Sequence, residues 1–177
     1  MASLDIRVAT PTGVHLEPWD RLPALLAQPA VGFVWIDIPE WNDEVERLLG
    51  DTLHLHPMAV VACRERNHTP TVHGYPDHVF LVLHGAETRD DGHVHLLELD
   101  LFVARRFLIT VHGPRNPEVA PELALRETAA ALARIESGRL HPATPTALRT
   151  PSSPRSSGVC APRSRESPRR SPAWSGR

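Results

Sequence analysis

Three groups of residues in this chain have types and spacings that could do chemistry. The first is acidic: Glu87, Asp90 and Asp91 gather where Asp90-Asp91-Gly92 has the composition of a hairpin turn. Carboxylates suit Mg²⁺, which keeps part of its water shell and needs few protein ligands. The same residues are also what an ordinary acidic turn contains. The second group is histidine. His54/His56 and His93/His95 are spaced i, i+2, which on a strand puts both rings on one face, half of a Zn²⁺ site. No Cys, third His or carboxylate around them completes a ligand spacing, and solvated strand and turn histidines are the plainer reading. The third is Cys63. A nucleophilic cysteine needs a base and an orienting group, and His68 and His73 are near it only in sequence. A half-buried helix cysteine fits better. Neither a phosphate loop nor a paired-carboxylate hydrolase signature is present, so no enzyme is expected.

The elements that would position these residues follow from periodicity. Residues 4–8 alternate as a strand and 10–13 turn. Residues 18–28 carry Trp19, Leu22, Leu25 and Leu26 at helical spacing, interrupted near Pro23. Residues 31–38 form a short apolar run rich in β-branched and aromatic side chains, the pattern of a buried strand. Asn42 is an N-cap, with Val45, Leu48, Leu49 and Leu53 on one helical face, and Pro57 opens another helix. Residues 71–75, 78–83, 93–103 and 107–111 then read as four strands in series, with a tight return at 104–106. Asn116 caps and Pro117 begins a helix over 117–138 that ends at Ser137-Gly138. Trp35, Phe80, Phe102 and Phe107 are core residues by this periodicity. The order predicts an α/β domain over residues 1–148, a mixed, largely antiparallel sheet flanked by helices.

Composition limits the function classes. All 19 basic residues are Arg, and seven of them fall in residues 149–177 beside one acid. Residues 1–148 keep 12 Arg against 20 acids, a net charge of −8 with neutral His. An acidic body argues against nucleic acid and anionic lipid as partners and is compatible with cations. Residues 149–177, rich in Arg, Ser and Pro, cannot bury enough surface to offset chain entropy and are expected to be disordered. An RNA-binding tail is one reading of them; the out-of-frame end of a GC-rich gene is the preferred one. No run of about 20 apolar residues is present to cross a membrane. With Cys63 and Cys160 far apart in unlike surroundings, a reducing cytoplasm is the expected location.

A series of phrases carries a resemblance. Trp35-Ile36-Asp37 resembles the "WID" strand of CorA cytoplasmic domains. Leu53 to Ala59, LHLHPMA, resembles their "L-x-x-H-P-L-A" helix start. Pro70 to Leu83 resembles the strand pair ending "F-L-V-L". Glu98 to Val103 with Phe107 to His112 resembles the hairpin ending "L-I-T-V-H". The chain is identified on these as a divergent member of the CorA-type divalent-cation transporter family. It departs where it has Val61-Ala62 for Glu-Asp and Thr69-Pro70-Thr71 for Arg-Pro-Lys. The resemblance implies a cytoplasmic regulatory domain, with a pentameric Mg²⁺ channel for a full-length relative. It implies regulatory Mg²⁺ bound weakly between neighbouring domains near Asp90 and Asp91, and a homo-oligomer as partner. The pore helix and its Gly-Met-Asn signature do not occur in these residues, so transport by the chain alone is not expected. A non-functional remnant of a transporter gene is the alternative.

Overall fold

The computed structural model describes residues 4–27, 32–67, 69–88, 92, 94–113, 119–142 and 144–148. The expected strand at 71–75 is β4, and all seven strands join one sheet. They are β1 (Asp5–Thr10), β2 (Gly13–Glu17), β3 (Phe33–Ile38), β4 (Thr71–Gly74), β5 (His78–Thr88), β6 (Val94–Ala104) and β7 (Phe107–Val111). Their spatial order is β2-β1-β3-β7-β6-β5-β4. Every neighbouring pair is antiparallel except β3 and β7, which run parallel with Trp35 beside Leu108 and Asp37 beside Thr110. This is the mixed, mostly antiparallel α/β sheet that the element order predicts.

Two apolar layers form because strand side chains alternate between faces. One face presents Ile6, Val34, Ile36, Phe80, Val82, Phe102, Ile109 and Val111. It is covered by α1 (Leu22–Ala27), α2 (Asp43–Arg47) and α3 (Pro57–Arg64), which contribute Leu22, Leu25, Val45, Ala59, Val60 and Cys63. The other face presents Ala9, Phe33, Trp35 and Leu108 to Ile135 and Leu132 of α5 (Arg126–Glu136). Between β7 and α5 lies the single turn α4 (Pro121–Ala124). Trp35, Phe80 and Phe102 are buried on opposite faces of the sheet; Phe107, at the start of β7, is only partly buried.

Local chemistry explains the helix starts. The Asn42 side chain accepts from the Glu44 and Val45 amides at 2.9 and 3.0 Å, with Asp43, Glu44 and Glu46 in the first turn of α2. The next five residues, Leu48–Thr52, do not continue α2 regularly. Leu53 N–H reaches back five residues to the Leu48 carbonyl at 2.9 Å, a widened π-type turn. His56 caps α3 through its side chain and Pro57 occupies the first turn.

Four expectations need correction. The expected helix start Pro117 lies outside the described residues, and the described helix opens at Pro121. Ala120 is extended and caps α4 at Pro121, because a proline four residues into a helix would clash with the preceding turn and remove an amide. That helix is also broken: Leu125 ends α4 and opens α5. At the other end, Pro23 does not interrupt α1; it sits in the first turn, where its missing amide costs nothing. Finally, β2 and the outer five residues of β5, His84–Thr88, are strands that the pattern does not announce. His15 and Leu16 of β2 are exposed, and the strand is held by its backbone ladder to β1 rather than by burial. The expected cap Asn116, strand residue Val31 and tail 149–177 lie outside the described residues.

Candidate functional site

The acidic tip is described only at its base. Asp90 and Asp91 lie outside the described residues, as does His93, between the ends of β5 and β6. Glu87, paired across the strands with His95, is engaged by the guanidinium of Arg126 at the start of α5. One carboxylate of the sequence cluster is therefore neutralised by a cation from another element.

The His54/His56 pair does not form a strand half-site; His95 lies on β6, and its sequence partner His93 is outside the described residues. His54 lies in a connection with φ of 52°, and His56 turns its Nδ1 to the Met58 amide at 3.3 Å. The His56 ring stacks on Tyr75 with centroids 4.2 Å apart. Nearby, Asp77 accepts from His78 Nδ1 at 2.7 Å, and that hydrogen bond holds its carboxyl below the usual range. Among the described residues no three His, Cys, Asp or Glu side chains are gathered to hold a metal ion. The described carboxylates thus do not by themselves fit a Mg²⁺ shell.

Two buried polar clusters went unrecognised in the sequence. The first spans the parallel pair. Trp35 Nε1 donates to Thr110 Oγ at 3.1 Å, and Thr110 donates to Asp37 Oδ1 at 2.5 Å. His112 Nε2 lies 3.0 Å from the same oxygen, while His112 Nδ1 lies 2.9 Å from the Ala124 carbonyl. Thr128, in the first turn of α5, sits 3.2 Å from His112 Nε2 and donates to the Leu125 carbonyl. Burial alone would raise the Asp37 pKa. The hydrogen bonds from His112 and Thr110, with the charges of His112 and Arg7, outweigh it and hold the carboxyl below its ordinary value. Arg7 flanks the cluster on β1, bonded to Asp5 at 2.7 Å with its guanidinium 5.7 Å from the Trp35 ring centre.

This is not a nucleophile–base arrangement. Both Asp37 and Thr128 approach the same ring nitrogen, and the other faces a backbone carbonyl, so no free hydroxyl waits on a base. What the cluster does is join β3, β7 and the α4–α5 break. The signal was present: Asp37 and Thr110 are polar residues inside continuous apolar strand runs, and buried polar groups must find partners.

The second cluster lies between α3 and the sheet. Glu98 of β6 accepts from the Asn67 backbone amide at 2.8 Å and from Asn67 Nδ2 at 3.1 Å. Asn67 Nδ2 also donates to the Ala62 carbonyl at the end of α3, and His84 Nε2 meets the Asn67 carbonyl at 2.7 Å. Cys63 of α3 is fully buried here, and burial, then the neighbouring Asp100, pushes its thiol far up. Asp100 is itself pushed up to about 8, by burial first and by the Glu98 charge second. The thiol is therefore inert as a nucleophile.

Residues 31–143, well over half of the chain, match the family model described as "CorA-like Mg2+ transporter protein". The chain belongs to the CorA-like Mg²⁺ transporter family. Among curated proteins it is similar to "Putative metal ion transporter YfjQ" of Bacillus subtilis (strain 168), 28% identical over 93 residues, which are 52% of this chain and 28% of that one. Among solved structures it resembles the full-length CmaX protein, with a TM-score of 0.60 and 18% identity over 81% of this chain and 42% of CmaX. The soluble domain of CorA from Methanocaldococcus jannaschii aligns at a TM-score of 0.45 and 13% identity over 72% of this chain and 47% of that one. The likeness to CmaX shows the CorA-family chain to share its fold. This chain spans under half of CmaX and less than a third of YfjQ. No helix among its described residues is long and apolar enough to cross a membrane.

Proposed function

We propose that this chain is the regulatory domain of a CorA-family divalent-cation transporter, sensing Mg²⁺ on the cytoplasmic side through carboxylates at the β5–β6 tip. Membership in the CorA-like Mg²⁺ transporter family carries the reading. The sheet supports it, because the two longest strands, β5 and β6, project as a hairpin whose connecting segment holds Asp90 and Asp91. Two carboxylates make only part of an octahedral shell, so water and a neighbouring copy of the domain would supply the rest. Binding would then be weak and coupled to self-association. A bound cation would neutralise carboxylates on facing copies, and its loss would leave repulsion that loosens the assembly.

The test measures thermal stability and sedimentation of the chain with and without millimolar Mg²⁺. Mg²⁺ should raise the melting temperature slightly or promote association, and the Asp90→Ala/Asp91→Ala double variant should lose the effect. An equal Mg²⁺ response in the double variant would remove these residues from the reading. The 177-residue chain by itself should move no Mg²⁺ into cells, since ions cross hydrocarbon only through a closed, backbone-satisfied structure. Uptake dependent on its expression would overturn the regulatory assignment.

A further inference from the structure

The space under α3 holds a titratable group that cation sensing does not use. Asp100 is completely buried on β6, on the face that carries Phe102, Val82 and Val111. Neither of its carboxyl oxygens is hydrogen-bonded. The Cys63 thiol lies against it without the geometry of an ordinary hydrogen bond, yet close enough that thiol and carboxyl each alter the other's proton equilibrium. A carboxylate in such a place would be a buried charge with no counter-charge and no donor, which is far costlier than burying the neutral acid.

The groups facing Asp100 reinforce this. On its own strand Glu98 shares the same face, two residues away, and its two oxygens each accept an N–H of Asn67. Neighbouring carboxylates repel, and the Asn67 donors go to Glu98 while neither Asp100 oxygen has one. On β5, Val82 stands opposite Asp100 and His84 stands diagonal to it, with His84 engaged through Nε2 to the Asn67 carbonyl. On β7 the facing residue is Val111. From α3 comes Cys63. Neither Glu98, His84 nor Cys63 offers the cation that an ionised Asp100 would need.

We propose that Asp100 is a neutral carboxylic acid in the folded chain, and that loss of its proton under mildly alkaline conditions lifts α3 from the sheet and exposes Cys63. The step is a single deprotonation: the O–H bond breaks, the proton passes to solvent base, and the carboxylate left behind is satisfied only by water. Water reaches it when α3 moves. That helix is only eight residues long, and its far end is tied by the Asn67 side chain, which bridges Ala62 and Glu98, and by a half-exposed Arg64–Glu46 ion pair at 3.8 Å. This inference is independent of the cation-sensing reading and uses none of its residues.

The experiment uses the full chain with Cys160→Ser, which leaves Cys63 as the one thiol. The rate of reaction with a disulfide reagent is followed from about pH 6 to about pH 10 and divided by that of a model peptide thiol, which removes the dependence on thiolate fraction. The normalised rate should rise on the order of tenfold across the Asp100 titration and stay flat when Asp100→Asn is added. In parallel, carboxyl ¹³C spectra of the parent chain should show one aspartic acid still protonated near pH 6, well above the ordinary aspartate value of about 3.9. A flat normalised rate in the parent, the same rise in Asp100→Asn, or the absence of a protonated carboxyl near pH 6 would each overturn the proposal. Should Asp100→Asn fail to fold, the parent's carboxyl spectra decide alone.

Discussion

Asp37 and His112 meet at 3.0 Å, though they lie 75 positions apart in the chain. The two sit on β3 and just past the end of β7, the parallel pair, and His112 reaches the Ala124 carbonyl with its other nitrogen. The His112 ring therefore bridges β3 and the α4–α5 break, with Asp37 on one side and the Ala124 carbonyl on the other.

Asp37 gives stability a defined dependence on acid. Its folded-state pKa lies below that of the unfolded chain, so its contribution is complete above the unfolded value of about 3.9 and is lost as pH falls through the folded value. Thermal melts from about pH 2 to about pH 6 should show this acid-side loss. Asp37→Asn should destabilise by roughly 1–3 kcal/mol near neutrality, because the buried oxygen that Thr110 and His112 share loses its charge and strength as an acceptor, and it should flatten the acid limb. An acid limb identical to that of the parent would show that other carboxyls set it.

Trp35 separates packing from hydrogen bonding. It is 2% exposed, and its indole N–H begins the chain of donors to Asp37. Trp35→Ala should cost roughly 3–5 kcal/mol in denaturant unfolding. Trp35→Phe keeps most of the ring and removes the donor to Thr110, and should cost about 1–2 kcal/mol. A loss under about 1 kcal/mol for the alanine variant would place the strand at an edge rather than in the core.

Gly32 has no room for a side chain. Its φ is +112°, and a β-carbon there would stand 2.0 Å from the Ala9 carbonyl oxygen, a backbone atom that cannot swing away. Gly32→Ala should destabilise by more than the roughly 1–3 kcal/mol of backbone strain alone. Gly13→Ala, where nothing lies within 4 Å, has no such clash to relieve. Equal losses at the two positions, read by thermal denaturation, would refute the close approach of β1 to the start of β3.

Arg126 should tune the response to cation. It engages Glu87 at the base of the acidic hairpin. Arg126→Ala frees that carboxylate beside the tip, so apparent Mg²⁺ affinity in the thermal-shift assay should rise. An unchanged or weaker Mg²⁺ response would show that Glu87 lies outside the cation's reach.

Much of this architecture was legible in the residues because its causes are local. The apolar run FVWIDI, the Asn42 cap and the Asn67-independent start of α3 at Pro57 depend on neighbours within a few positions. So does the return at Arg105-Arg106 between β6 and β7. The order of strands and flanking helices predicted the mixed, largely antiparallel sheet as a whole. The start of the last helix is ambiguous in sequence because two prolines, Pro117 and Pro121, satisfy the same local rule; the extended Ala120 sets the described start at Pro121.

What the sequence by itself determined is which stretches are strands or helices and which of their faces are apolar, since alternation and helical period are written into the order of residues. It also placed the acidic body and the Arg-rich end. What only the tertiary structure decided is which polar residues share an interior. Asp37, Thr110, His112 and Thr128 come together because β3 and β7 lie side by side although 68 residues separate Ile38 from Phe107 in sequence. Asp100 is left without a partner because α3 crosses β6 with a cysteine at that point. Hydrogen bonds and buried charge depend on distances of a few ångströms in space, and no spacing along the chain encodes those distances.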